Sequence, residues 1–289
     1  MSTDALGNVF VSGGFTSPTL ILGTYTLTNP SGGSNYKPFL IKYDANGNVI
    51  WAATALGGTN SGASSVNADA SGNTFLVGQF SGSSIIFGTY TLTNPGGQDI
   101  FIVKYDSNGN VLWAKNSIGS SWGDNATSVS TDAGGNAIIS GFFSSSTIAF
   151  GTYTLTNNGV YNTFVVKYDS NGNVLWAKSA GGTNWDRAYS ISTDALGNAF
   201  ITGYFGSPSL AFGTYTLTNA GQRDAFLAKY DVNGNILWAK SVGGTGDEMG
   251  YSVSAYGGDV FISGHLGTSS FTVGTYTVIA SGGLSLIHI

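Results

Sequence analysis

The sequence predicts an all-β protein made of tandem four-stranded units, arranged as a partial β-propeller. Two repeated phrases carry this prediction. Lys-Tyr-Asp-x-Asn-Gly-Asn occurs four times, and the tryptophans that follow it are spaced 62, 63 and 62 residues apart. Gly-Thr-Tyr-Thr occurs five times, at spacings of 65, 63, 62 and 61 residues. Units of short strands and tight turns, with no helical periodicity, are typical of propeller blades.

Each unit divides into four strands. In the unit that contains them, residues 190–194 form a short first strand and residues 199–203 form the second. In an earlier unit, residues 101–105 form the third strand, because their side chains alternate between two faces with the period of two that marks a strand. Residues 111–115 of that unit form the fourth strand. The Asn108-Gly109 turn between these two strands is a strong hairpin signal, because both residues tolerate positive φ.

An insertion lies between the second and third strands, and we interpret it as an extra β-hairpin or edge ribbon. Residues 85–94 alternate, with Tyr90 and Leu92 on one side and threonines, which we expect to be solvated, on the other. The insertion accounts for the excess over a typical blade of roughly 40–50 residues. The alternative fold is a β-solenoid, but solenoid coils are shorter, at about 20–30 residues each.

The composition limits the classes of function. Charged residues make up 9% of the chain, against about 25% in an average protein. The net charge is −5, which disfavours nucleic-acid binding because that function needs a basic face. The chain has no cysteine and therefore neither disulfides nor thiolate metal sites. It also has no apolar run of about 18 residues that would predict membrane insertion.

No set of catalytic residues stands out from the repeat. The carboxylates fall almost entirely into positions shared between units, so no pair is singled out as a general acid and base. The two histidines, His265 and His288, are too few for a histidine cluster or a zinc site. The sequence therefore predicts that this chain is not an enzyme and holds no cofactor, with bound calcium as the one alternative.

The Asp-x-Asn-Gly-Asn turns have two interpretations. Their oxygen-rich side chains suit a hard cation such as Ca²⁺, although no unit has the Glu that closes an EF-hand loop. The favoured interpretation is that the side chains cap a hairpin turn. The aspartates concerned are Asp44, Asp106, Asp169 and Asp231.

Candidate ligand-binding residues come from the loop that joins the last strand of one unit to the first strand of the next. The units differ most there, and aromatic rings beside charged groups suit recognition of a sugar or a peptide. The alternative is that the tryptophans wedge between units while the aspartates cap turns. The candidates are Trp122, Asp124, Trp185, Asp186, Arg187 and Asp247. The tryptophans that recur in every repeat are instead predicted to be packing residues, and they are Trp51, Trp113, Trp176 and Trp238.

Both ends of the chain look interrupted. Met1 occupies the position of Val129 and Ile191 in later units, so the chain begins inside a unit. Residues 284–289 resemble the direct translation of a transposase adapter used in sequencing libraries, and they stand where the last strands of a fifth unit are expected. We therefore predict an incomplete propeller over residues 1–283 and a non-native tail over residues 284–289.

Three further motifs carry a family resemblance. They are residues 189–203 (Tyr-Ser-Ile-Ser-Thr-Asp-Ala-Leu-Gly-Asn-Ala-Phe-Ile-Thr-Gly), residues 99–104 (Asp-Ile-Phe-Ile-Val-Lys) and the Gly-Gly pairs at 181–182 and 243–244. With these motifs, nearly all of residues 1–283 resembles the bacterial seven-bladed β-propeller repeat (SBBP) family. The resemblance implies a large exported bacterial protein with a type IX secretion sorting domain, and hence an extracellular or cell-surface location. The family has no single known activity.

The sequence therefore predicts a non-enzymatic module for binding, display or spacing within a larger exported protein. We expect a protein or carbohydrate ligand, no nucleic-acid partner and no insertion into a membrane. Two alternatives stay open. The chain is either an accessory domain of an exported hydrolase or a calcium-dependent, lectin-like binder.

Overall fold

The computed structural model forms five consecutive β-units. It describes residues 1–33, 35–119, 123–267, 270–273, 276–279 and 283–288, with side chains described as far as residue 267. Unit 1 contains β1 (Ser2–Thr3), β2 (Val9–Phe15), β3 (Thr19–Leu22), β4 (Tyr25–Thr28), β5 (Lys37–Tyr43) and β6 (Val49–Thr54). Unit 2 contains β7 (Leu56–Ala68), β8 (Thr74–Phe87), β9 (Tyr90–Thr93), β10 (Gln98–Tyr105) and β11 (Val111–Asn116).

The remaining units repeat this plan. Unit 3 contains β12 (Asn125–Thr131), β13 (Ala137–Phe143), β14 (Thr147–Phe150), β15 (Tyr153–Thr156), β16 (Asn162–Tyr168) and β17 (Val174–Ala180). Unit 4 contains β18 (Asp186–Thr193), β19 (Ala199–Phe205), β20 (Ser209–Phe212), β21 (Tyr215–Thr218), β22 (Asp224–Tyr230) and β23 (Ile236–Val242). Unit 5 contains β24 (Glu248–Tyr256), β25 (Asp259–Leu266), β26 (Ser270–Val273), β27 (Tyr276–Ile279) and β28 (Gly283–His288).

Each of the first four units is an antiparallel sheet whose strands pair in chain order once the insertion is left out. The orders are β1-β2-β5-β6, β7-β8-β10-β11, β12-β13-β16-β17 and β18-β19-β22-β23. Within the described residues no sheet closes on itself. The prediction of an all-β chain of four-stranded units in a partial, propeller-like arrangement is therefore confirmed.

The fifth unit has three described strands in its sheet, in the order β24-β25-β28. β28 pairs antiparallel with β25 and contains residues 284–288, for which a non-native origin is predicted. Strand pairing does not test whether these residues are encoded by the natural gene, so their non-native origin stays a prediction.

The insertion forms a β-ribbon, as predicted. β3 pairs with β4, β14 with β15, β20 with β21 and β26 with β27, each as a separate two-stranded sheet. In unit 2 the 14-residue β8 runs on from the sheet into the ribbon and pairs there with β9. In β9, Leu92 is buried while Thr91 and Thr93 are exposed, which gives the solvated threonine face.

In the first four units a tyrosine fastens the ribbon to the outer strand of its own unit. The Tyr153 hydroxyl donates a hydrogen bond to the Leu175 carbonyl at 2.8 Å. Such a contact covers part of an edge that would otherwise present unpaired backbone groups. The same contact joins Tyr25 to Ile50, Tyr90 to Leu112 and Tyr215 to Leu237.

The first strands of successive units lie side by side, as innermost strands do in a propeller. Thr193 Oγ1 donates to the Thr131 carbonyl at 2.7 Å, and the Val253 N–H donates to Ser190 Oγ at 3.2 Å. Small polar side chains at these positions allow the strands to approach and satisfy backbone groups that face the neighbouring unit.

Three of the four repeated tryptophans join a unit to the next. Trp113 is buried, stacks on Tyr168 with ring centroids 6.2 Å apart, and donates its indole N–H to the Ser170 carbonyl at 3.0 Å. Trp238 is half-buried and packs on Phe200 of its own unit. Equivalent contacts with the next unit join Trp51 to Tyr105 and Ser107, and Trp176 to Tyr230 and Val232. Trp51, Trp113 and Trp176 are buried in these contacts.

Candidate functional site

The candidate calcium turns are held by hydrogen bonds of their own. Asp106 Oδ1 accepts from the backbone N–H groups of Asn108 and Asn110, and Oδ2 accepts from the Asn110 amide at 2.8 Å. Burial opposes ionisation, but these hydrogen bonds outweigh it and lower the pKa of Asp106. Equivalent bonds are made by Asp44, Asp169 and Asp231. Over the part of the chain that the structure describes, no three His, Asp or Glu side chains are grouped to hold a metal.

A second set of repeated aspartates pairs with the repeated lysines. Lys167 Nζ lies 2.8 Å from Asp132 Oδ2, and both side chains are buried. These paired charges therefore belong to the scaffold of the first four units. The equivalent pairs are Lys42 with Asp4 at 3.6 Å, Lys104 with Asp69 at 3.8 Å and Lys229 with Asp194 at 3.5 Å.

Two candidate ligand-binding residues, Asp124 and Asp186, are fully buried and fasten the loops between units. Asp186 accepts from the Gly182 N–H and from Ser207 Oγ, each at 2.7 Å. Asp124 accepts from Ser145 Oγ at 2.6 Å. Burial raises the pKa of both carboxyl groups. Both carboxylates are therefore occupied by the loops that they fasten.

Arg187 is enclosed by three aromatic rings. Its Cζ atom lies 4.5 Å from the ring centroid of Phe142, 4.3 Å from that of Tyr161 and 5.0 Å from that of Trp185. The Tyr161 and Trp185 rings meet edge to face, with centroids 5.8 Å apart. A guanidinium attracts the electron-rich faces of such rings, so the rings fix its orientation.

A second guanidinium lies beside the first. Arg223 Cζ is 6.0 Å from the Trp185 ring and 5.1 Å from the Tyr204 ring. Its Nε atom is 3.7 Å from Asp247 Oδ1, within ion-pair range but beyond a hydrogen bond. We call Phe142, Tyr161, Trp185, Arg187 and Arg223 the arginine–aromatic cluster.

Two backbone hydrogen bonds, one to unit 3 and one within unit 4, hold the exposed Trp185 in place. The Asp186 N–H donates to the Tyr161 carbonyl at 3.1 Å, and the Gly206 N–H donates to the Trp185 carbonyl at 2.8 Å. Trp185 is nevertheless 41% exposed, whereas the repeated Trp113 is 7% exposed. The ring is thus presented to solvent from a backbone that is fixed on both sides.

The cluster lies where the units differ. Strand pairing places Phe142 opposite Asn125 in unit 3 and Tyr204 opposite Arg187 in unit 4, so these positions are equivalent between units. Bridges likewise join Tyr161 to Trp185 and Arg223 to Asp247. The position of Phe142 is occupied in the other units by Gly14, Gln79, Tyr204 and His265, and that of Tyr161 by Tyr36, Gln98 and Arg223. The position of Trp185 is occupied by Asn60, Gly123 and Asp247, and that of Arg187 by Gly62, Asn125 and Met249.

The structure brings Trp185, Arg187 and Asp247 of the sequence-predicted candidates into one region, and it turns Asp124 and Asp186 inward. Trp122 lies outside the described residues. Sequence reasoning missed Phe142, Tyr161 and Arg223 as members of the site. The available signal was that Phe142 and Arg223 differ from their equivalents in the other units, whereas Tyr161 has the same residue type as Tyr36.

Comparisons with known proteins found partial similarity in sequence to two curated proteins, one of them a repeat protein. No model of a known protein family matches it. It is 31% identical to an uncharacterized WD repeat-containing protein of Acanthamoeba polyphaga mimivirus, over 49% of this chain and 12% of that protein. It is 26% identical to the regulatory protein FlaEY of Caulobacter vibrioides, over 48% of this chain and 15% of that protein. The chain therefore spans less than a sixth of the length of these curated relatives.

A solved structure, that of a protein of unknown function from Bacteroides caccae, is similar over 89% of this chain and 70% of that one. The sequence identity is 12% and the TM-score 0.41. The described residues contain no helix long and apolar enough to cross a membrane. The similarities in sequence support a repeat-type binding module in general terms.

Proposed function

We propose that this chain is a non-catalytic binding module whose ligand surface is the arginine–aromatic cluster. One observation carries the proposal. The side chains that change from unit to unit gather in one region and hold two guanidinium groups among aromatic rings there. Packing accounts for positions that keep one residue type in every unit, as Trp113 does. Aromatic and arginine side chains at partly exposed positions that vary between units instead match the composition of recognition surfaces.

We also propose that the chain is a member of the bacterial SBBP repeat family and acts outside the cell or at its surface, as one part of a larger exported protein. The repeat motifs support the family and the location that it implies, and the similarity to a WD repeat-containing protein of which the chain covers 12% supports its being one part of a larger protein. The ligand is a protein or a carbohydrate, and the chain performs no reaction on it.

Binding of the purified chain to immobilised glycan and peptide libraries tests the proposal. Trp185→Ala is expected to abolish or weaken binding, since it removes an exposed ring of the cluster. Leu196→Ala is the matched control, because Leu196 is 79% exposed but lies in the turn at the other end of β18. If both variants lost binding equally, or if Trp185→Ala bound as well as the wild type, the cluster would not be the ligand surface.

A further inference from the structure

The arginine–aromatic cluster is locally cationic on an acidic chain. Arg187 and Arg223 both lie against the Trp185 ring. Among the described residues, Asp247 is the one carboxylate within ion-pair range of either guanidinium, and at 3.7 Å it leaves the pair loose. Asp186, the next residue along from Trp185, is turned away and bonded to Ser207. An anion that reaches this surface therefore meets two guanidinium groups and one carboxylate.

The guanidinium groups are also pre-oriented. The described contacts of the Arg187 guanidinium are with rings, and no carboxylate among the described residues neutralises it. A planar guanidinium fixed in this way offers a carboxylate its paired N–H donors with little further loss of side-chain freedom. The same group gives no comparable match to a neutral hydroxyl.

The side chains around the guanidinium groups favour a sugar over a peptide as the source of that carboxylate. Residues 183–187 and 221–223 expose an indole, amides and a hydroxyl, and neither segment contains an aliphatic side chain. Peptide interfaces concentrate their binding free energy in apolar anchors buried in pockets. Amides suit sugar hydroxyls, and an exposed indole suits the C–H faces of a sugar ring.

Resting on the proposed function, we infer that the ligand is an acidic carbohydrate. Its uronic-acid carboxylate binds between Arg187 and Arg223, and its ring lies against the exposed part of Trp185. Because the site is partly open to solvent, added salt weakens the interaction.

Calorimetric titration of the full chain with a panel of uronic-acid oligosaccharides and their methyl esters tests this inference. Each ester keeps the sugar ring and removes the charge. The acid forms are expected to bind at least about tenfold more tightly than the esters, which corresponds to about 1.4 kcal/mol. A poly-glutamate peptide is titrated in parallel.

The repeat itself supplies substitutions that its fold already contains. Gln98 occupies the position of Arg223 in another unit, and Met249 occupies that of Arg187. Arg223→Gln and Arg187→Met are therefore expected to fold, which a thermal melt checks. Each is expected to weaken binding of the acid forms by about tenfold and to weaken binding of the esters much less, because an ester keeps a hydrogen-bond acceptor but carries no charge.

The outcomes separate the inference from the proposed function. Equal affinity for acids and esters would show that the site does not recognise the carboxylate. The chain would remain a glycan-binding module, provided that Trp185→Ala still weakens binding. Binding of poly-glutamate alone would replace the sugar by an acidic peptide. No binding to any uronic acid at millimolar concentration would overturn the inference, and a blank result on the libraries as well would remove the proposed function.

Discussion

The indole N–H of Trp113 donates to the carbonyl of Ser170 at 3.0 Å across 57 positions of sequence. This bond links β11, the outer strand of unit 2, to the turn between β16 and β17 in unit 3. The Trp113 ring also stacks on Tyr168, next to that turn. In repeat proteins much of the stability comes from such interfaces between neighbouring units.

Replacing Trp113 should therefore uncouple two units. Trp113→Ala is expected to lower the free energy of unfolding by about 3–5 kcal/mol, the range for a buried large aromatic. Trp113→Phe keeps a ring and loses the donor, so the expected loss is nearer 1 kcal/mol. Trp238→Ala is the matched control, because Trp238 is half-buried and contacts Phe200 of its own unit. Chemical unfolding that gave equal losses for Trp113→Ala and Trp238→Ala would contradict the interface explanation.

The hairpin turn between the third and fourth strands of a unit contains a glycine that serves two purposes, and these can be separated. Gly109 and Gly47 hold equivalent positions with φ of +87° and +83°. A Cβ at Gly109 would lie 2.9 Å from the Trp51 ring, whereas a Cβ at Gly47 would meet nothing within 4 Å. Gly47→Ala should cost about 1 kcal/mol for its positive φ. Gly109→Ala should cost at least about 1 kcal/mol more, because it also displaces the tryptophan.

Urea unfolding of the Gly109→Ala and Gly47→Ala variants measures the difference directly. Similar midpoints in the two variants would show that backbone conformation alone accounts for glycine at this position, and that the close approach of Trp51 adds nothing.

The fold could be predicted because the period of the sequence specifies it. Four copies of one hairpin phrase locate β10 and β11 in unit 2 and their equivalents elsewhere. The ribbon followed from the excess length of the repeat. What the period does not specify is the interface between units, because the contact of Trp113 with Tyr168 depends on how one sheet faces the next.

The candidate site could be predicted only in part for the same reason. Trp185 and Arg187 are close in sequence, so their loop was identified. Phe142 and Tyr161 reach Arg187 only through packing of unit 3 against unit 4. The burial of Asp186 depends on Ser207, 21 positions later, and nothing in the local sequence indicates that partner.

Asp106 provides a test between turn capping and calcium binding. Its carboxylate accepts three hydrogen bonds within its own turn, so Asp106→Ala should lower the free energy of unfolding by about 1–2 kcal/mol. Because the pKa of Asp106 is lowered, this contribution is present above pH about 4 and is lost as the pH falls further. Excess calcium is expected to leave the melting temperature of the wild type unchanged. A calcium-dependent rise that is absent in Asp106→Ala would instead make the turn a metal site.

Asp99 has the opposite dependence on pH. It is fully buried, and burial is the main cause that raises its pKa to about 7, with the nearby Asp124 carboxyl adding to the effect and the Gly119 N–H opposing it. In the unfolded chain the group titrates near 3.8, so the folded state retains a proton that the unfolded state has lost. The resulting contribution to stability is complete below about pH 4 and is lost as the pH rises through about 7.

The variant Asp99→Asn removes this titration and keeps an oxygen that can accept from the Gly119 N–H. The wild type and Asp99→Asn are expected to be similar in stability near pH 4, and the wild type should then lose up to about 1.4 kcal/mol per pH unit relative to the variant until about pH 7. Asp44→Asn is the control, because the pKa of Asp44 is lowered and its titration falls in a more acidic range. Urea unfolding at intervals from pH 4 to pH 8 measures both differences. A constant difference between the wild type and Asp99→Asn over this range would mean that Asp99 is already ionised in the folded state near pH 4, and that its burial is compensated by its neighbours.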